Sequence, residues 1–268
     1  MTDPIAARQV LASKLAQEAG QLALDYYNKR DSLEIETKAS ALDLVSIADR
    51  AVEDMICARI RAEFADDAIL GEEGGASQGS SGYTWIIDPI DGTVPFLMGL
   101  PHWCVVIAVA KGPETLLGVI DVPCIEEHFA ARAGHGATLN GKVLKLDASK
   151  KIDQVLVAVG ASDRSDPGPV VEIIGGLMAK GAMYYRNGSG ANMLANVAAG
   201  RLGGYVEPDM NPWDSVAGLL MITEAGGSIF PYPADQALGL TMGAAPGVWE
   251  DLNTIACKAM GLPDGATG

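Results

Sequence analysis

Apolar residues in the first part of the chain recur at the spacing of an α-helix, and segments without this spacing separate the helical patterns. Leu11, Leu15, Leu22 and Tyr26 are separated by four or seven residues, the spacing that places side chains on one face of an α-helix. The segments between helical patterns are short, and they are rich either in apolar residues or in serine and glycine. The elements predicted here are a helix at 5–29, a strand at 33–37, a polar stretch at 38–43, a helix at 46–64 and a surface loop at 76–82.

From residue 83 onward, short apolar runs typical of strands dominate the pattern. The run at 83–87 predicts a buried strand that ends abruptly at Asp88, and Asn140-Gly141 predicts a hairpin turn between two extended segments. The other predicted strands are 104–109, 116–121, 128–133, 155–159, 182–186 and 204–206, and the other predicted helices are 169–178, 192–199 and 213–225.

This order of elements predicts the fold class. Strands come first and strands alternating with helices come later, which favours a mixed α/β (α+β) fold with two sheets, and with helices between and outside them. We expect an N-terminal α+β lobe at 1–145 and a C-terminal α/β lobe at 146–268.

Composition narrows the possible partners and compartment. The chain of 268 residues carries 34 acidic and 19 basic residues, a net charge of −15 that argues against nucleic acid or an anionic membrane as partner. The four cysteines lack metal-ligand spacing, and the N-terminus lacks the pattern of a signal peptide. No stretch approaches the roughly 20 apolar residues of a membrane span. These features predict a cytoplasmic protein with reduced, buried thiols.

The segment Asp88-Pro89-Ile90-Asp91-Gly92-Thr93 carries the clearest chemistry in the sequence. Two carboxylates three residues apart, at the end of a buried strand, repel each other unless a cation lies between them. Mg²⁺ takes one or two carboxylates together with substrate phosphate. Gly92 permits a close approach of phosphate, and Thr93 is placed to begin a helix whose free N–H groups favour an anion. The alternative is a tight Asp/Gly turn that caps a helix.

Three further acids are weak signals when each is taken alone. Glu72 lies in a glycine-flanked turn, where a solvated acidic loop is the simpler interpretation. Asp214 precedes an apolar helix and has the position of an ordinary first-turn acid. Asp49 lies in a helical pattern, where the simpler interpretation is a solvated face.

The order of these motifs along the chain resembles the inositol monophosphatase family. Gly71-Glu72-Glu73, the hexapeptide after its strand, and Trp213-Asp214 more than a hundred residues later match the family's motifs. The resemblance covers nearly the whole chain. Further matching positions are Lys38, Asp43 to Ser46, Asp49, Gly118 to Ile120, Gly134 to Ala137, Asn140-Gly141, Gly188 to Ala191, Ala198 to Arg201 and Glu207. The resemblance implies a layered αβαβα sandwich and a homodimer.

The resemblance also implies a role for each matched site residue. A first Mg²⁺ would be held by Glu72, Asp88 and the carbonyl of Ile90, and a second by Asp88, Asp91 and Asp214, with a third, looser ion beside Glu72. Catalysis by metal-activated water would use Thr93, Asp49 and Glu72, with Asp49 orienting Thr93. The substrate would be bound by Asp91, Gly92, Thr93, Gly188, Ser189, Gly190 and Glu207. For Glu207 the alternative is an exposed acid at the end of a strand.

The activity implied is Mg²⁺-dependent, lithium-sensitive hydrolysis of inositol monophosphate or a related polyol or sugar phosphate. Attack by water is also the simpler mechanism because no cysteine or histidine motif offers a nucleophile. One departure is Pro95, which stands where family members commonly carry asparagine, and it puts details of the substrate in doubt. Two alternatives remain: a histidinol-phosphate phosphatase, and a regulatory binding protein that uses the same fold.

Overall fold

The described part of the chain comprises residues 3–29, 47–162 and 165–263, together with the backbone of two short strands at 35–37 and 44–46. This is a computed structural model. The polar stretch predicted at 38–43 lies outside the described residues, and so do Lys38 and Asp43, two of the positions that carry the family resemblance.

The larger of the two main sheets has eight strands in the order β10-β9-β8-β7-β6-β5-β3-β4. Its pairs are antiparallel except for β3 and β5, which run parallel. Two short strands, β1 (Ile35–Thr37) and β2 (Leu44–Ser46), form a separate antiparallel pair. The eight strands are β3 (Ala68–Gly71), β4 (Gly75–Ser77), β5 (Thr84–Asp91), β6 (Cys104–Lys111), β7 (Glu114–Val122), β8 (Glu127–Arg132), β9 (Gly136–Leu139) and β10 (Lys142–Val143).

Two details of this sheet test the sequence-based expectations. The Asn140-Gly141 hairpin between β9 and β10 is confirmed, and both residues have the positive φ that this turn requires (49° and 76°). The prediction that the central strand ends at Asp88 is wrong, because β5 stays paired with β6 as far as Asp91. The serine- and glycine-rich loop begins with strand β4 and continues as an exposed segment.

The second main sheet has five strands in the order β12-β11-β13-β15-β14. Strand β11 pairs in parallel with both of its neighbours, and β15 is antiparallel to both of its own. The five strands are β11 (Leu156–Val159), β12 (Met183–Tyr185), β13 (Gly204–Met210), β14 (Ser228–Ile229) and β15 (Gly239–Ala244).

The helices separate and cover the two main sheets. Helices α1 and α2 pack on the outer face of the eight-stranded sheet, α5 and α6 lie between the sheets, and α4 and α7 cover the five-stranded sheet. The layers therefore confirm the αβαβα sandwich. The helices are α1 (Pro4–Tyr27), α2 (Ile47–Glu63), α3 (Thr93–Leu97), α4 (Pro167–Ala179), α5 (Gly190–Ala198), α6 (Pro212–Glu224) and α7 (Pro246–Met260).

Close packing of the middle layer fixes the position of helix α6. A Cβ atom on Gly118 of β7 would lie 2.7 Å from the Cα atom of Ala217, so this helix can approach the sheet only because residue 118 is glycine. On α6 itself, a Cβ atom on Gly218 would lie 2.4 Å from the Cβ atom of Leu194 in α5, so this contact also requires glycine. This packing holds the N-terminus of α6, which carries Asp214, beside the end of β5.

The connection between the two sheets passes through a short 3₁₀ helix (Ile152–Gln154). The division into lobes at 145/146 falls in this connection and stays a prediction. Cys57, Cys104 and Cys257 are buried and Cys124 is partly buried, and none of them forms a disulfide. No helix in the described ranges is both long and apolar enough to cross a bilayer.

Candidate active site

An irregularity at the end of strand β5 brings two carboxylates to one side of the sheet. Asp88 pairs with Val106 and Asp91 with Cys104, so three steps along β5 match two steps along β6. Residues three apart in a regular strand point to opposite faces, but the extra residue of a β-bulge turns the second one back. Residues 88–91 of the hexapeptide therefore form a bulged strand end, and its two aspartates converge.

Two other chain segments complete an acidic cluster around these aspartates. Asp214 lies in the first turn of α6, and carboxylate oxygens of Asp88, Asp91 and Asp214 all lie within 4.8 Å of one another. Glu72 follows β3, where its backbone N–H donates to the carbonyl of Ile87 at 3.2 Å. Its carboxyl group is in hydrogen-bonding contact with that of Asp88.

Burial and mutual repulsion make this cluster unfavourable without a counter-charge. Burial is the larger cause that raises the pKa of Glu72 well above its usual range, and the charges of Asp214 and Asp49 raise it further. The pKa of Asp88 is raised well above its usual range by burial and then by the charges of Glu72, Asp214 and Asp91. A donor set made only of oxygens, crowded and negative, fits a hard divalent cation such as Mg²⁺. The residues present therefore suit the metal that the family resemblance implies.

The turn after β5 combines a carbonyl, a hydroxyl and a helix start. The N–H of Ile90 donates to the Asp88 carboxylate at 2.9 Å, and the Thr93 hydroxyl donates to the Ile90 carbonyl at 3.3 Å. Gly92 has a φ of 95°, and a Cβ atom there would lie 2.9 Å from the carbonyl oxygen of His102 and from Ser189 Cβ. Both conformation and space therefore require glycine. Thr93 begins helix α3, as predicted.

Helix α2 supports the turn that carries Glu72. Asp49 is buried in the first turn of α2, so the interpretation as a solvated face is wrong. Glu53, one turn later, accepts hydrogen bonds from the backbone N–H groups of Glu73 at 2.9 Å and Gly74 at 2.6 Å. Sequence reasoning missed Glu53, because a glutamate on an amphipathic helix carries no local sign of burial.

A cavity of about 180 Å³ opens over the acidic cluster and collects most of the predicted site. The predicted metal ligands Glu72, Asp88, Ile90, Asp91 and Asp214 all line it, and so do Gly92, Thr93, Gly188, Gly190 and Glu207. Asp49 and Ser189 are not among the lining residues. Ser189 is fully buried, and its hydroxyl donates to the Asp91 carboxylate at 2.5 Å.

The cavity is also lined by Glu207 and by one positively charged residue, Arg186, that the sequence did not single out. Glu207 is buried within β13 and accepts a hydrogen bond from the Tyr205 hydroxyl, so the interpretation as an exposed strand-end acid is wrong. Among the lining residues that the structure describes, Arg186 is the only positively charged one, and its guanidinium donates to the Ala161 carbonyl at 2.7 Å. In the sequence Arg186 is only the end of a predicted strand.

Comparison with known proteins agrees with this geometry. The model of the inositol monophosphatase family matches residues 7–259. The Nus factor SuhB of Escherichia coli strain K12 is 36% identical over 234 residues, which cover 86% of this chain and 87% of the relative. The protein of the same name from Xylella fastidiosa is 35% identical over 226 residues, covering 84% of this chain and 82% of the relative.

Solved structures show the same architecture. The IMPase of Thermotoga maritima superposes with a TM-score of 0.84 at 27% identity, over 95% of this chain and 98% of that chain. The inositol monophosphatase of Anabaena superposes with a TM-score of 0.80 at 28% identity, over 98% of this chain and 99% of that chain. Sequence, fold and site geometry thus agree, and this chain belongs to the inositol monophosphatase family.

Proposed function

We propose that this protein hydrolyses a small phosphate monoester in a Mg²⁺-dependent reaction, and that its substrate is inositol monophosphate or a related polyol or sugar phosphate. The observation that carries the proposal is the convergence of Asp88, Asp91 and Asp214, whose carboxylate oxygens lie within 4.8 Å of one another at the floor of a cavity. Gly92 and Thr93, at the start of helix α3, line the same cavity, so N–H groups that can bind phosphate lie in the same cavity as the proposed cation ligands.

The metal would be held by Glu72, Asp88, Asp91, Asp214 and the Ile90 carbonyl. When bound, Mg²⁺ supplies positive charge that polarises the phosphoryl oxygens, lowers the pKa of water and stabilises the leaving alkoxide. It also answers how a protein with a net charge of −15 attracts an anion.

The remaining residues bind and orient the substrate. The first N–H groups of helix α3, those of Gly92 and Thr93, have no partners inside the helix, and because both residues line the cavity these groups would bind the phosphate. The Thr93 hydroxyl lies 3.3 Å from the Ile90 carbonyl, where it would orient the attacking water, and Asp49 would in turn orient Thr93. Glu207 accepts hydrogen bonds from hydroxyl groups of the leaving alcohol. Direct attack by water fits the site because Cys104, whose thiol lies 3.6 Å from the Asp91 carboxylate, is buried and does not line the cavity.

Phosphate release from inositol 1-phosphate tests this proposal. We expect release that requires Mg²⁺, stops with EDTA, falls with Li⁺ and is lost in Asp214→Asn, whereas the exposed control Asp235→Asn keeps wild-type activity. Histidinol phosphate, fructose 1,6-bisphosphate and adenosine 3′,5′-bisphosphate, measured in parallel, separate the polyol substrate from the histidinol phosphate alternative. Release that is indifferent to EDTA, or no release from any of the four compounds, would refute the proposal.

The names of the relatives favour a second candidate function. The relatives at 35–36% identity carry the name Nus factor, which supports a regulatory role as a binding protein for this chain as well. The net charge of −15 still argues against direct contact with nucleic acid. A pull-down with an Asp91→Asn variant decides the point, because a partner retained by the inactive variant depends on the fold rather than on turnover. Light scattering on the same samples tests the predicted homodimer.

A further inference from the structure

The carboxylate of Asp91 is held by an unusually complete set of donors from the opposite half of the chain. Its Oδ2 atom accepts from the Ser189 hydroxyl at 2.5 Å, from the Ala191 N–H at 2.7 Å and from the Asn192 N–H at 3.4 Å. The thiol of Cys104 lies 3.6 Å from the same oxygen. The other oxygen, Oδ1, has a single hydrogen bond, with the Gly190 N–H at 3.2 Å.

This unequal sharing decides which oxygen can bind a cation. A carboxylate oxygen offers about two lone-pair positions, so three hydrogen bonds saturate Oδ2. Oδ1 keeps an open lone pair, and Asp91 lines the cavity beside Asp88 and Asp214. The oxygen that remains for a cation is therefore Oδ1, and the donors on Oδ2 fix the direction in which Oδ1 points.

Ser189 has no room to serve the substrate directly. Its side chain is fully buried, and its Cβ atom packs so closely under Gly92 that any side chain on residue 92 would collide with it. The backbone around it is fixed as well, because the Ser189 N–H donates to the Asn187 side chain at 2.9 Å and that side chain donates to Asn192 at 3.1 Å. The hydroxyl thus has one rigid orientation, toward Asp91.

We infer that Ser189 and the N-terminus of helix α5 are positioning elements that act through Asp91: they orient its carboxylate for cation binding and do not bind the substrate. This replaces the substrate-binding role predicted for Ser189 and leaves Gly188 and Gly190 on the cavity wall. Partners that orient a metal ligand in this way typically change metal affinity by roughly 10–100-fold when they are removed. The inference rests on the proposed function for the role of Asp91 as a metal ligand.

Binding of Mn²⁺ without substrate, followed by the EPR signal of the free ion, is the direct test. Ser189→Ala should weaken Mn²⁺ binding about tenfold or more. Ser189→Thr keeps the hydroxyl and should bind within about threefold of wild type, whereas Ser189→Cys offers only a weak S–H donor and should resemble the alanine variant. The matched control is Ser81→Ala, because Ser81 also donates to a buried carboxylate, Asp67 at 2.6 Å, outside this site. It should leave Mn²⁺ binding unchanged.

Kinetics over a range of Mg²⁺ concentrations, with KM measured at the saturating end, separates positioning from substrate contact. The inference expects the Mg²⁺ concentration for half-maximal activity to rise in Ser189→Cys while KM for the substrate stays within about twofold of wild type. A raised KM with unchanged Mn²⁺ affinity would overturn it and return Ser189 to the substrate site. Wild-type protein that binds Mn²⁺ but releases no phosphate refutes the proposed function alone. Ser189→Ala or Ser189→Cys protein that is folded and binds Mn²⁺ as tightly as wild type refutes this inference alone.

Discussion

Replacing Asp88 by asparagine should stabilise the metal-free protein while it removes a proposed metal ligand. The two side chains have nearly the same shape, and the asparagine oxygen can still accept the hydrogen bond that Ile90 donates to Asp88 at 2.9 Å. The substitution removes one of three charges whose oxygens lie within 4.8 Å of one another. It also gives the cluster an N–H₂ donor, which Asp91 and Asp214 can both accept.

The magnitude follows from the distance between the charges. At an effective dielectric constant of about 20, two unit charges 4.8 Å apart repel by about 3.5 kcal/mol, and Asp88 has two such neighbours. Two effects reduce the sum: Asp88, with its raised pKa, relieves part of the repulsion by binding a proton, and the partly exposed Asp214 is screened by water. We therefore expect a gain of about 2–4 kcal/mol, or a rise in Tm of roughly 5–15 °C for a chain of this size.

Thermal denaturation near neutral pH, in EDTA and in excess MgCl₂, measures both effects. Mg²⁺ at a hundred times its Kd stabilises a protein by about 2.7 kcal/mol, so wild type should gain stability with Mg²⁺ and Asp88→Asn should gain much less. The exposed control Asp235→Asn should follow wild type in both conditions. An Asp88→Asn protein that melts below wild type in EDTA would refute the electrostatic reasoning.

The same cluster fixes the sign of the pH dependence. Folding raises the pKa of Glu72 and Asp88, so the folded protein binds more protons than the unfolded chain at intermediate pH. The free energy of unfolding of the metal-free protein should therefore fall as pH rises from about 4 through the raised pKa values. Excess Mg²⁺ should remove most of this fall, since the cation replaces the protons.

Three further substitutions test other parts of the structure. Burial alone would raise the pKa of Asp67, but its hydrogen bonds, led by the one from the Arg8 guanidinium, outweigh burial and lower it. Asp67→Asn should therefore cost about 3–5 kcal/mol of stability at neutral pH. Urea denaturation should show the stability difference between variant and wild type shrinking as pH falls below about 4. Glu53→Ala leaves two backbone N–H groups of the Glu72 turn without their acceptor and should lower Mg²⁺ affinity, read as thermal shift, about tenfold. Gly160→Ala would place a Cβ atom on the Glu207 carboxylate and should lower kcat/KM for a polyol phosphate about 10–100-fold, with the Mg²⁺ midpoint unchanged.

The sequence predicted elements with a long apolar pattern well, and it missed two elements near the end of the chain. Helices α1 and α2 and strands β6 to β8 lie within a few residues of their predicted bounds, because each has a long apolar pattern. Strand β15 was missed because four of its six residues are glycine, threonine or alanine, a composition that is also typical of a loop. Helix α7 was also missed, although Val248, Leu252 and Ala256 follow one another at four-residue intervals.

The site was predictable where its residues share a local motif or match a family position. Asp88 and Asp91 could be proposed from their spacing alone, and Glu72 and Asp214 only from their order around the hexapeptide. The β-bulge that makes the two aspartates converge depends on pairing with β6, which local sequence does not encode. Arg186 and Glu53 were missed for a related reason: whether a charged side chain faces a cavity or supports a turn is decided by segments distant in the chain.

Asp91 shows why the site depends on both halves of the chain at once. Its backbone belongs to β5 of the eight-stranded sheet, and its carboxylate accepts hydrogen bonds from residues 189–192, about a hundred positions later. Those residues begin α5, which packs against strands of both main sheets. Asp214 reaches the same point from α6, the other helix of the middle layer. The proposed cation site of Asp88, Asp91 and Asp214 therefore draws on both predicted lobes, and these carboxylates acquire their geometry only when the middle layer joins the two sheets. Cation binding at this site should accordingly stabilise the packed sandwich as a whole, because the ion would bind only when the two halves are in contact.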